Sequence, residues 1–202
     1  MLTFKQYLNE VLNKPYEWKL VSKPSMRNIE YRFTTDSGIE YIVGLVRVGE
    51  KPTLTSTDWD LYFSISENSM KELGKDDDDT FKISGTGDQF RVFATVQDIV
   101  KDFIIKHTPD LIAFSAAEPS RRRLYSTFTA NFEKSQPELF NPELPNTYIA
   151  WSIGDGKDMG KDNFIMNRDF AKKVLNGPDD SYFYSIIPSD YRDELRYRDE
   201  LR

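Results

Sequence analysis

The stretch from Ile83 to Phe132 constrains this chain most. A glycine-bearing segment, Ser84-Gly85-Thr86-Gly87-Asp88-Gln89, leads into an amphipathic helix, a short apolar strand and a second helix opened by Pro119. Phe93, Val96, Ile99, Val100, Phe103 and Ile104 repeat at helical spacing, with Gln97, Asp98, Lys101 and Asp102 on the other side. Leu111 to Ala116 is a continuous apolar run of the kind a layered sheet buries on both faces. Leu124, Tyr125, Phe128 and Phe132 then share one side of the following helix. That succession predicts an α+β fold with a mixed central sheet flanked by helices.

The rest of the chain fits this reading. Thr3 and Gln6 make a capping box ahead of a helix whose Phe4, Tyr7, Leu8, Val11 and Leu12 share a face, ending at Pro15. Strands are expected over 30–35 and 39–48, around a reversal at Asp36-Ser37-Gly38. Trp59, Leu61, Phe63 and Ile65 alternate in the clearest strand of all. Residues 72–79, with four consecutive aspartates, lack the ligand spacing of a calcium loop and read as solvated. Prolines 137, 142 and 145 mark a stiff connection to a last strand at 147–153. Residues 154–163 read as a polar loop, and 169–175 as a short helix closed by Asn176-Gly177. The expected organisation is a domain over 1–153 and an extension over 154–202. The extension ends in the duplication YRDELR-YRDELR, read as an exposed helix, a frayed terminus or an interaction tail.

Composition narrows the function classes. Fourteen Phe and eleven Tyr supply burial that a disordered chain lacks. With 27 basic against 33 acidic residues the net charge is −6, which disfavours nucleic acid as the main partner. No cysteine is present, so thiolate catalysis and cysteine metal sites are excluded. No apolar run approaches the ~18 residues of a membrane span. Lys5 and Glu10 interrupt any signal-peptide core, so no secretion signal is expected.

Candidate chemistry is sparse. The lone histidine, His107, suits the C-terminal end of its helix, with no second histidine for a metal pair. Asp155, Asp158 and Asp162 lie among glycines in a polar loop, and no metal site is expected there. The paired glycines Gly85 and Gly87 are read either as a simple turn or as a cradle for an anion. Arg121, Arg122 and Arg123 point around their helix and cannot all meet one ligand, but Arg121 and Tyr125 share a face.

The order of an N-terminal helix, antiparallel strands, the 93–106 helix, the 111–116 strand, the 119–132 helix and the 147–153 strand resembles the GNAT acyltransferases. That resemblance implies acetyl-CoA as cofactor, with its pyrophosphate near Gly85, Gly87, Gln89 and Arg91, assisted by Arg121. It implies Tyr125 as general acid for the departing thiolate, with Glu40, Asp60 or Glu118 as base. In this chain Arg91, Val92 and Phe93 stand where the family places small, backbone-exposing residues. The segment EPSRRRLYSTF is similar to one in uncharacterised proteins of tailed bacteriophages. The leading expectation is a non-catalytic phage accessory or structural protein, without cofactor, located in the host cytoplasm or virion and acting through a protein partner or self-association. Acyl-CoA-dependent N-acetyl transfer and nucleic-acid binding are the alternatives, and whether the chain is an enzyme stays open.

Overall fold

Gly38 adopts φ 85°, a conformation that costs glycine little, and it reverses the chain between two long strands. A computed structural model describes residues 14–21, 28–47, 57–74, 88–116, 119–152 and 161–176. The chain divides into two units, Met1–Thr108 and Pro109–Arg202. Both follow the expected α+β plan of β-sheet flanked by helices.

In the first unit β1 (Trp18–Leu20), β2 (Asn28–Thr34), β3 (Glu40–Arg47) and β4 (Asp58–Ile65) pair antiparallel in chain order. Alternation sends Tyr31, Phe33, Tyr41, Val43, Trp59, Leu61 and Phe63 to one buried face. Helix α1 (Glu67–Glu72) follows β4 directly. Six residues are too few for a periodic signal, so the sequence reading passes over this helix. Its cues are polar: the Ser66 hydroxyl accepts from Ser69 N at 3.4 Å, and the Ser69 hydroxyl accepts from Glu40 N at 2.9 Å.

Helix α2 (Gln89–His107) covers the buried face. Every residue expected on its apolar stripe is buried, and Val92 joins them. Phe93 meets Phe63 edge-on at 5.5 Å, and Phe103 meets Trp59 edge-on at 5.1 Å. The helix closes on Thr108 in the left-handed region, φ 42°, with Thr108 N donating to Ile104 O.

In the second unit β5 (Leu111–Ala116) and β6 (Tyr148–Ser152) both pair antiparallel with β7 (Lys161–Asn167). β6 lies within the strand expected at 147–153, but β7 follows it and takes up residues 161–163 of the expected loop over 154–163. Its polar lead Lys161-Asp162-Asn163 hides it, and its apolar core Phe164-Ile165-Met166 does not alternate. All three of those side chains are buried, as in a strand covered on both faces. Helix α3 (Pro119–Ser135) and α4 (Pro137–Phe140) supply an aromatic chain to this unit. Phe114 meets Phe128 at 5.6 Å, Phe128 stacks on Phe132 at 5.9 Å, and Phe132 meets Phe140 at 5.6 Å. Helix α5 (Arg168–Asn176) is capped by Asn167, whose Oδ1 accepts from Asp169 N and Phe170 N. The expected helix over 3–12, the four aspartates and the duplicated tail lie outside the described residues.

Candidate functional site

The residues singled out from sequence fall into two groups. Tyr125 belongs to α3 and is 7% exposed. Its ring stands edge-on to Phe114 at 5.7 Å, and its carbonyl accepts from the Thr129 hydroxyl at 2.8 Å. It is therefore a member of the second unit's aromatic core. Arg91 belongs to the first turn of α2, and Gln89 opens that helix, so neither lies in the loop that the GNAT resemblance implies. Gly85 and Gly87, and the side chains of Gln89, Glu118 and Arg121, lie outside the described residues.

The Arg91 guanidinium meets three partners within the first unit. Its Nε donates to Lys14 O at 2.8 Å, its Nη1 meets Asp36 Oδ2 at 2.6 Å, and its carbon sits 3.9 Å from the Tyr16 ring centre. One turn on, the Thr95 hydroxyl accepts from Tyr16 N at 2.9 Å, and Asp98 accepts from Trp18 Nε1 at 2.7 Å. Arg91, Thr95 and Asp98 are spaced i, i+4, i+7, so one ridge of α2 grips the segment leading into β1. Tyr16 in turn stacks on Phe33 at 5.9 Å, and Phe33 on Tyr41 at 5.3 Å. Burial, chiefly, holds the Tyr16 hydroxyl above its usual range. This arrangement is a clasp built from one arginine.

His107 is also a packing residue, stacked on Phe103 at 4.7 Å. Burial lowers its imidazole below the ordinary range, against the pull of Asp102. Among the described residues no group of three or more His, Asp or Glu is placed to hold a metal ion.

The surface with chemistry to offer is the outer face of the β2–β3–β4 sheet, opposite α2. Arg32 spans two carboxylates there, Glu30 at 2.8 Å and Glu40 at 3.2 Å. The hydrogen bond that Arg32 donates to Glu30 is the main cause of a guanidinium pK above its normal value. In register, Glu30 faces Gly44 and Gly44 faces Tyr62. The Tyr62 ring lies over Gly44, where a Cβ on that residue would overlap it. Burial raises the Tyr62 hydroxyl, and the Glu30 carboxylate adds to the rise. Asp60 is two residues earlier on the same face. The residue is exposed, yet partial desolvation holds its carboxyl above the usual carboxylate range. Val46, opposite Asp60, is 36% exposed. Sequence reasoning named Glu40 and Asp60 but missed Tyr62 and Gly44. A glycine inside the apolar run Ile42-Val43-Gly44-Leu45-Val46 was the available signal, since strand glycines mark close approach.

This chain belongs to a family described as a family of unknown function (DUF6934), whose model matches residues 14–141. The match begins at the segment held by Arg91 and ends just beyond α4, so the outer sheet face lies wholly inside it. No curated protein and no solved structure matches the chain.

Proposed function

We propose that this protein is a non-catalytic accessory or structural protein of a tailed bacteriophage, acting in the host cytoplasm or virion through protein–protein contacts. One observation carries the reading: the two described side chains that the GNAT resemblance singles out, Tyr125 and Arg91, both take part in packing. Tyr125 is walled in by Phe114 and its own helix, and Arg91 holds the first unit's N-terminal segment. A general acid must reach its leaving group, and a pyrophosphate ligand would compete with Lys14 O and Asp36 for the Arg91 donors Nε and Nη1. The outer sheet face, with a ring, carboxylates and a half-open valine, supports a role in contacts.

Acetyl-CoA calorimetry on the intact protein, with native mass measured in parallel, tests the proposal. The expected result is an assembly, with itself or a partner, and no saturable acetyl-CoA binding. Saturable binding with turnover on an amine acceptor, lost in Tyr125→Phe without loss of stability, would overturn it. That outcome would favour N-acetyl transfer on a GNAT-like sheet.

A further inference from the structure

We propose that the outer face of the β2–β3–β4 sheet binds a lysine- or arginine-bearing segment of a partner protein, with Tyr62 as platform and Asp60 as counter-ion. The proposal names the partner chemistry for the contact reading above and rests on it.

The ionic balance of the face points to a cation. Arg32 is shared between Glu30 and Glu40, so these three groups already neutralise one another in part. Asp60 differs. Among the described residues no cation pairs with it, although its surroundings strip away part of its water. A partly desolvated carboxylate without a counter-charge gains more from an incoming cation than a fully hydrated one does.

The neighbouring groups define the shape of that cation. Gly44 lets the Tyr62 ring settle onto the sheet, where the side chain stays half-buried. An aromatic face attracts ammonium and guanidinium groups through its quadrupole. Val46 stands opposite Asp60 and offers apolar surface to a methylene stem. Apolar patch, ring face and carboxylate together match the stem and charged head of lysine or arginine. A phosphate-bearing partner would meet Glu30, Glu40 and Asp60 instead, which disfavours nucleic acid on this face.

The test is titration of capped tetralysine and tetra-arginine peptides into the full-length protein, followed by backbone amide NMR. Shifts confined to β3 and β4 are expected, with binding weakened by salt. Asp60→Asn and Tyr62→Leu should each weaken binding, by up to about tenfold. Glu72→Gln, which removes an exposed carboxylate in α1, should leave it unchanged. If Tyr62→Leu does not fold, Asp60→Asn and the salt series still decide. Equal binding by wild type and Asp60→Asn, shifts scattered over the acidic surface, or no binding up to about 10 mM would each overturn the proposal. An assembling protein that ignores both peptides loses only this inference. Acetyl-CoA-dependent turnover would remove the contact reading beneath it.

Discussion

The ring of Tyr62 fills the space above Gly44 that any side chain at that position would need. The two residues face each other across β3 and β4. A glycine normally weakens a strand, because it has nothing to pack and more backbone freedom to lose. Here the facing ring covers the bare backbone. Gly44→Ala should therefore destabilise the protein by about 1–3 kcal/mol through overpacking. The loss should shrink when Tyr62→Ala is added, because the clash then disappears. Urea denaturation of the four-member cycle checks this. Strict additivity would mean that the ring does not rest on Gly44.

The clasp at Arg91 makes a local prediction. Asp36 is 78% exposed at its side chain, so the ion pair alone is worth at most about 1 kcal/mol. The carbonyl of Lys14 and the ring of Tyr16 lose their partner at the same time. Arg91→Ala should thus loosen the segment 14–18 far more than it lowers global stability. Amide exchange is the readout. The Tyr16 N–H, bonded to Thr95, should lose protection while the amides of β3 and β4 keep theirs. Thr95→Val should expose the same amide by removing its acceptor.

How much of this was legible in the sequence depended on the kind of signal. Long periodic elements were readable: α2 shows a full apolar stripe, and β4 alternates cleanly. β7 was hidden because burial on both faces erases alternation and its first three residues are polar. α1 was hidden because a Ser66 cap and a Ser69 bond to β3 hold a helix too short for a pattern. The site was harder still. Asp60 and Glu40 could be named as acids, but what sets Asp60 opposite Val46 is the sheet register. Register brings Tyr62, Gly44 and Glu30 into one row across three strands. Arg91 illustrates the converse. Its place beside a glycine-bearing segment suggested a phosphate, whereas its partners, Lys14 and Asp36, are 77 and 55 residues away in the chain.

His107 predicts an acid-side loss of stability. Its imidazole is held below the ordinary range by burial, so the native state favours the neutral ring. In the unfolded chain the ring takes its proton near pH 6.5. Below that pH the unfolded state binds more protons, and stability falls until pH passes the folded value. Stability should therefore be greater at pH 7.5 than at pH 5.5, and His107→Phe should reduce that difference while keeping a ring against Phe103. An unchanged pH difference in the variant would remove His107 as the cause.

Tyr31 and Tyr148 predict the alkaline limit. Burial, chiefly, pushes both hydroxyls up to about 12, helped by Asp102 at Tyr31 and by Asp110 at Tyr148. The native state keeps them protonated after the unfolded chain has begun to ionise at about pH 10. Their contribution is complete below that pH and is lost as pH rises toward 12. Tyr31→Phe should flatten the fall in stability between pH 9 and pH 11 and cost little at pH 7. Alkaline unfolding unaffected by Tyr31→Phe would assign the limit elsewhere.

The second unit's core offers the sharpest test of whether Tyr125 is packing or chemistry. Phe128 is 5% exposed and touches both Phe114 and Phe132. Phe128→Ala should cost about 3–5 kcal/mol, the usual loss for a buried aromatic ring. Tyr125 shares Phe114 with it, so Tyr125→Ala should cost a similar amount, and the two losses should not add. Tyr125→Phe keeps the ring in place and should cost no more than about 1.5 kcal/mol, the net worth of one hydroxyl contact. Chemical denaturation of wild type, the three single variants and the Phe128→Ala/Tyr125→Ala double variant measures these losses. A Phe128→Ala loss below about 0.5 kcal/mol would place that ring outside the core. A negligible loss in Tyr125→Ala would detach Tyr125 from the packing role and return it to the candidates for catalysis.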